Sequence, residues 1–168
     1  MKRLIISMII MLSIAATINA SDNPNYRSFK AFNNDTLAYL KYNFDGNEYY
    51  VGKTLNELFD DLEIPTKFYF LCPDFFVQNN LRDAILYFDD KSTVFRAINE
   101  KKSRLLLKLY ISFQPICMKE YDQYELVLMK ARDKRGANFD DEWELYGKSF
   151  LKNRIITKLY IPEWIDKH

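Results

Sequence analysis

Neighbouring acidic residues are the groups in this sequence whose spacing best suits a catalytic reaction. A glycosidase needs only two carboxyl groups at a set separation, one as the acid and one as the base or nucleophile. Each acidic cluster also has a structural explanation, as an exposed helix face, a turn or a helix N-terminus. These clusters are Asp60 with Asp61, Asp89 with Asp90, and Asp140 and Asp141 with Glu144. A hydrolase acting on a glycan or cell-wall polymer is therefore the alternative function.

Other catalytic chemistries lack the residues that they need. The only histidine, His168, is the final residue, where a frayed terminus cannot hold a general base or a metal ligand in place. The run Gly52-Lys53-Thr54 resembles the end of a phosphate-binding loop, but Asn47 stands where that loop needs its first glycine. We interpret Gly52 as a turn before a helix. We assign no catalytic residue and expect no cofactor and no metal.

Aromatic residues are abundant, with 13 Phe, 12 Tyr and 2 Trp. Phenylalanine mostly fills a core, whereas tyrosine combines a rigid apolar ring with a hydroxyl and is enriched at recognition surfaces. The sequence therefore predicts a tyrosine-bearing binding surface. A tyrosine-rich sheet face beneath a helix is the alternative. The candidate residues are Tyr49, Tyr50, Tyr110, Tyr121, Tyr124 and Tyr160.

The beginning of the chain has the layout of a secretory signal peptide. Lys2 and Arg3 precede an apolar stretch of about 15 residues, which is shorter than the roughly 20 that a membrane-spanning helix needs. Ala20 offers a cleavage site, and no cysteine follows it that could carry a lipid anchor. We expect residues 1–20 to be removed. The mature protein is then periplasmic or secreted, with no membrane anchor after cleavage.

The charge balance argues against nucleic acid as a partner. The chain has 24 basic and 23 acidic residues, and removal of Lys2 and Arg3 with the signal peptide leaves it close to neutral. A nearly neutral exported protein has no general electrostatic attraction to nucleic acid or to an anionic membrane. The partner that we expect is an envelope protein or a glycan.

Two cysteines, Cys72 and Cys117, lie in the mature chain. An oxidising compartment would permit a disulfide between them. Such a bridge would close a loop of about 45 residues and stabilise the fold by about 4 kcal/mol. Two buried free thiols are the alternative. Because the sequence has no Cys-x-x-Cys pair, we do not expect redox catalysis.

The elements that must position these residues are helices and short strands. Residues 34–44 have apolar residues at helical spacing, and Thr54 and Glu57 form a capping box at the start of a second helix. Another helix begins at Asn138, with acidic residues in its first turn. Strands are predicted for residues 67–72, 84–88, 93–98, 105–113, 124–131 and 155–161.

The order of these elements predicts the fold class. In the strand 105–113, Leu109, Ile111 and Phe113 share one face, and residues 124–131 are its expected partner strand. We predict an α+β fold with helices packed on one face of a mainly antiparallel sheet. Residues 21–33 are polar and are predicted to form a flexible N-terminal segment, followed by a single domain over residues 34–168.

The run from Tyr49 to Leu58 contains a Tyr-x-Gly-Lys-Thr motif at a helix start and is followed by Leu62-Glu63-Ile64. Behind a signal peptide, this region resembles small exported proteins of Bacteroidota whose function is unknown. The resemblance implies strands and a late helix–strand pair after the motif, and it transfers no activity. We therefore expect a non-enzymatic binding or interaction module of unknown ligand.

Overall fold

The computed structural model describes residues 21–73, 80–135 and 142–162. Its described part combines five α-helices with a four-stranded antiparallel sheet, which confirms the predicted α+β class. Within these ranges, no helix has both the length and the apolar character that are needed to cross a bilayer. The predicted signal peptide and the predicted helix start at Asn138 lie outside the described residues.

The sheet follows the order of the chain, because each strand pairs with the next one. Its strands are β1 (Phe68–Pro73), β2 (Asn80–Tyr87), β3 (Lys108–Cys117) and β4 (Ile156–Tyr160). Phe70 lies opposite Ile85, Ile85 lies opposite Tyr110, and Tyr110 lies opposite Tyr160. This register aligns one row of side chains across all four strands, and it leaves β1 and β4 as the two edge strands.

The described helices are α1 (Thr36–Phe44), α2 (Leu55–Asp61), α3 (Lys91–Asn99), α4 (Met118–Arg135) and α5 (Lys148–Leu151). A π-helical segment, Trp143–Gly147, leads directly into α5. Asp35 caps α1, and the predicted capping box of Thr54 and Glu57 at α2 is confirmed. Short 3₁₀ helices occupy Phe29–Phe32, Glu48–Tyr50 and Ser103–Leu105.

The main core lies between one face of the sheet and most of the helices. In β3, the buried residues Leu109, Ile111 and Phe113 alternate along the strand and face this core, as the sequence predicts. Helix α3 packs on the opposite face, where Val94 joins a smaller apolar cluster with Tyr87. Helices therefore lie on both sides of the sheet beside β1 and β2.

Two of the predicted strands, residues 93–98 and 124–131, are wrong. Residues 93–98 belong to α3, because the Asp90 side chain accepts a hydrogen bond of 2.9 Å from the Thr93 amide and starts a helix there. Residues 124–131 belong to α4, in which Tyr124, Leu128 and Ala131 are buried at helical spacing. The composition of residues 93–98 favours a strand, whereas most residue types in 124–131 favour a helix, and the period of burial in both segments is that of a helix.

Residues 21–33, expected as a flexible segment, make specific contacts with α1 and α2. The buried side chain of Asn43 accepts a hydrogen bond of 3.0 Å from the Arg27 amide and donates one of 2.9 Å to the Arg27 carbonyl. The Tyr26 hydroxyl donates to the Asp61 carbonyl at 2.7 Å. These contacts attach the segment to the body of the domain at two points.

The two edges of the sheet differ. The loop before α2 covers β4, because the Gly52 amide donates to the Ile156 carbonyl and the Ile156 amide donates to the Lys53 carbonyl, both at 2.8 Å. Gly52 makes the expected turn, with a φ of 86° that glycine adopts without strain. At the other edge, within the described ranges, only β2 forms backbone hydrogen bonds with β1.

The substitution Gly147→Ala tests how tightly the π-helical segment packs on β1. A Cβ at Gly147 would lie 2.8 Å from Cε3 of Trp143 and 2.8 Å from Cζ of Tyr69. Alanine normally stabilises a helix by about 1 kcal/mol relative to glycine. Here we expect the free energy of unfolding to fall by about 1–3 kcal/mol, because the added methyl group overpacks the core. Urea unfolding measures the difference.

The matched control is Ser149→Ala, at an exposed position in α5, which should leave the free energy of unfolding nearly unchanged. A gain in stability for Gly147→Ala would contradict the close packing of this segment on Tyr69.

Candidate functional site

The six tyrosines that were predicted to form a binding surface lie in three separate places. Tyr49 and Tyr50 precede α2. Tyr110 and Tyr160 stack on the sheet face opposite the main core, and Tyr121 and Tyr124 belong to α4. Tyr50 and Tyr124 are buried. The six residues do not form one continuous surface; Tyr121 lines the groove described next, and Tyr49 lines a separate cavity.

A groove lies between α3 and α4 along the edge of β1 that has no backbone partner among the described residues. Two adjoining cavities of about 270 Å³ and about 390 Å³ share Phe68, Tyr69, Lys91 and Glu142 in their linings. Ligand pockets commonly have volumes of about 300–1,000 Å³. We call this feature the β1 groove; its larger cavity is lined by Phe68, Tyr69, Phe70, Leu71, Lys91, Phe95, Tyr121, Glu125, Leu128, Arg132 and Glu142.

The wall on the α3 side is aromatic. Because successive side chains of a strand point to opposite faces, Phe68 and Phe70 both turn towards α3. Their ring centroids lie 4.9 Å apart, and the ring of Phe95 packs 5.5 Å from Phe68 and 6.1 Å from Phe70. Phe95 is 41% exposed, so this wall offers an apolar surface to a ligand.

The wall on the α4 side is held by a buried tyrosine pair and by an ion pair. The Tyr69 and Tyr124 hydroxyls hydrogen-bond to each other, and the Tyr69 hydroxyl also donates to Oε1 of Glu142 at 3.3 Å. Arg132 donates from Nε to Oε2 of Glu142 at 3.0 Å and from Nη2 to Oε1 at 2.6 Å. This bidentate contact joins α4 to the helical turn that holds Glu142.

Charge differs between the two ends of the β1 groove. At the end where β1 begins, Lys67 and Lys91 line the smaller cavity. Asp90 lies there too and stays ionised, because hydrogen bonds from the Ser92 hydroxyl and the Thr93 amide hold the pKa of its carboxyl well below the usual value. Towards Leu71, the groove is lined by Glu125, which accepts a hydrogen bond from Tyr121. Because Glu142 is paired with Arg132, the two lysines exceed the charge of Asp90 by one, and this end of the groove is net positive while the end at Glu125 is negative.

Both cysteines are free thiols, but they are not the two buried thiols of the alternative, because Cys117 is exposed and Cys72 is partly buried. Cys72 lies opposite Asp83 and Cys117 lies opposite Asn80, which places β2 between the two strands that carry them. Two strand spacings of about 4.8 Å exceed the Cα separation of about 4.4–6.8 Å that a disulfide needs. Burial raises the pKa of the Cys72 thiol to about 11, which keeps it protonated and unreactive.

Three of the acidic residues that could form a catalytic pair, Asp60, Asp61 and Asp90, have structural partners. Asp61 accepts a hydrogen bond of 2.7 Å from the Tyr50 hydroxyl, and Asp60 lies beside it in a cavity of about 290 Å³. Asp90 caps α3. Residues 140 and 141 lie outside the described ranges. In the described part of the chain, no three acidic, histidine or cysteine side chains are grouped so that they could hold a metal ion.

Comparisons with protein-family models, with curated proteins and with solved structures gave no significant match. The resemblance to small exported proteins of Bacteroidota stays a prediction.

Most residues of the β1 groove were not expected from the sequence. Phe95 falls within a segment whose local composition predicts a strand, and as a strand residue it would not lie beside Phe68 and Phe70. Arg132 and Glu142 are far enough apart in the chain that their pairing depends on how α4 and the next helical turn pack. The alternation of Phe68 and Phe70 with Tyr69 and Leu71 is the signal that a second apolar face exists.

The tyrosine pair at the groove gives a prediction for alkaline pH. Burial raises the pKa of the Tyr69 and Tyr124 hydroxyls above that of free tyrosine, about 10. Their contribution to stability is therefore fully present below about pH 10 and is lost as the pH rises further, because only the unfolded chain releases these protons easily. We expect the free energy of unfolding to fall above about pH 10.

Urea unfolding across this pH range, combined with phenolate absorbance, measures the effect. In Tyr124→Phe the fall should be smaller, since one buried hydroxyl is removed. Ionisation of all tyrosines near pH 10 without loss of the fold would contradict the burial of this pair.

Proposed function

We propose that this chain is an exported, non-enzymatic interaction module that binds an envelope partner through the β1 groove. The observation that carries the proposal is the groove itself: an aromatic wall on α3, a polar wall on α4 and an uncovered strand edge between them. Recognition sites combine a concave apolar surface with a few placed polar groups in this way. Export is supported by the signal-like residues 1–20, and the nearly neutral charge supports a partner other than nucleic acid.

The alternative, a hydrolase that uses two carboxyl groups, has weaker support. Such an enzyme needs one carboxyl group that is free to donate a proton and a second that faces it across a cleft. In the β1 groove, Glu142 is held by the Arg132 guanidinium and Glu125 by the Tyr121 hydroxyl. Asp90 is occupied as a helix cap. The binding function therefore agrees better with the partners of these carboxylates.

Export makes a direct prediction for the N-terminus. When the full chain is expressed in a bacterium, we expect signal peptidase to cleave after Ala20, so that the mature protein begins at Ser21 and is recovered outside the cytoplasm. N-terminal sequencing and cell fractionation measure this. Ala20→Phe should block the cleavage because the site needs a small residue, whereas Ser21→Ala should not. Full-length protein that stays in the cytoplasm would contradict export.

Binding through the groove is tested by pull-down from the envelope fraction with the mature protein as bait. Phe95→Asp should reduce capture of the partner about tenfold or more, because a charge replaces an apolar contact on the aromatic wall of the groove. The matched control is Val51→Asp, which introduces the same charge at a residue of 49% exposure beside the opposite sheet edge. Circular dichroism verifies that both variants fold.

A third variant tests whether the partner binds the β1 groove or the exposed apolar surface of α4 that lies outside the groove. Leu126 is 55% exposed on α4 and does not line the groove. If Leu126→Asp abolishes capture while Phe95→Asp leaves it intact, the partner binds elsewhere on α4 and the groove is not the site.

A further inference from the structure

The uncovered edge of β1 determines what kind of molecule fits the groove. In an antiparallel sheet, every second residue of an edge strand turns its N–H and C=O groups away from its single neighbour. β1 pairs with β2 over six residues and, within the described ranges, has no backbone partner on its other side. Building on the proposed function, we propose that the β1 groove binds an extended peptide segment of its partner protein, which adds to β1 as a fifth strand.

The two walls favour a single peptide over the edge of another sheet. Side chains of α3 and α4 flank the edge of β1 on both faces, with Phe95 on one side and Leu128 and Arg132 on the other. A strand that pairs with β1 must lie about 4.8 Å from it, between these walls. A second copy of this chain would bring its own α3 and α4 against the same walls. An isolated extended segment has no such bulk.

The walls also specify the side chains of this peptide. Alternate residues of an added strand point to opposite walls, so one set meets Phe68, Phe70 and Phe95, and the other set meets Tyr121 and the polar wall. Strand addition derives affinity from main-chain hydrogen bonds and specificity from pockets for alternate side chains. The peptide should therefore carry apolar residues at every second position.

Strand pairing and charge complementarity together specify the direction of the peptide relative to β1. Antiparallel pairing is slightly more stable per residue than parallel pairing, and every pair in this sheet is antiparallel. An antiparallel peptide places its N-terminal end beside Leu71 and Glu125, and its C-terminal end beside Lys67 and Lys91. A basic residue near its N-terminal end and an acidic residue near its C-terminal end complement these two charges.

Selection of random peptides displayed on phage against the mature protein tests the inference without knowledge of the natural partner. We expect the selected peptides to alternate apolar and polar residues, with the basic residue before the acidic one. Synthetic copies should bind at least tenfold more weakly to Phe95→Asp and equally well to Val51→Asp. On binding, amide hydrogens of β1 should become protected from exchange with solvent, which a ligand that contacts only side chains would not cause.

A charge exchange tests the direction. The double variant Lys67→Glu, Glu125→Lys should prefer a synthetic peptide with its two charged residues exchanged by about threefold or more, while the native protein prefers the original order. Lys67 is exposed and Glu125 is only partly buried, so the double variant should keep the native fold.

Three outcomes would overturn the inference. They are selected peptides that bind Phe95→Asp as well as the native protein, peptide binding without protection of the β1 amides, and a concentration-dependent dimer that Phe95→Asp abolishes. If no peptide is selected while the envelope partner is still lost on Phe95→Asp, the groove remains the binding site but its occupant is not an extended peptide. Capture of the partner that persists in Phe95→Asp instead contradicts the proposed function.

Discussion

The geometry of the β1 groove depends on the packing of Tyr69. The Tyr69 ring lies 5.0 Å from the ring of Trp143 and fills the space beside Gly147, while its hydroxyl bonds to Tyr124 and Glu142. One buried side chain thereby joins an edge strand, α4 and the π-helical segment. Because a close-packed core resists deformation, the packing of Tyr69 fixes the distance between β1 and the α4 wall. The width of the groove is thus a property of the core.

The two edges of the sheet differ in their backbone hydrogen bonds, and this difference supports the proposed binding at β1. An edge strand with free N–H and C=O groups invites pairing with other chains, and proteins usually cover or disrupt such edges. Backbone hydrogen bonds from the loop at Gly52 and Lys53 cover β4. At β1 the same exposure is combined with walls from α3 and α4 that restrict access without closing it. In the proposed complex a single extended chain reaches the edge, whereas the walls block the stacking of another sheet.

Local chemistry explains which parts of the fold could be predicted from the sequence. The capping box at Thr54 and the alternation of Leu109, Ile111 and Phe113 are local patterns, and both appear in the structure. The segment 93–98 is predicted as a strand because β-branched and aromatic residues dominate it, and tertiary burial overrides that propensity. The segment 124–131 is predicted as a partner strand of 105–113, although most of its residue types favour a helix. The groove could not be predicted, because it requires knowledge that β1 is an edge strand and that α3 lies on the second face.

The positions of the tyrosines change the interpretation of the aromatic composition. At the end of α2, the hydroxyls of Tyr26 and Tyr39 both donate to the Asp61 carbonyl, at 2.7 Å and 2.9 Å, and so satisfy a helix terminus. The Tyr50 hydroxyl donates to the Asp61 side chain. In these places tyrosine serves as a core residue that carries its own hydrogen-bond donor. The exposed aromatic residue of the β1 groove is Phe95, so the proposed recognition rests mainly on phenylalanine, while tyrosine sets the position of the walls.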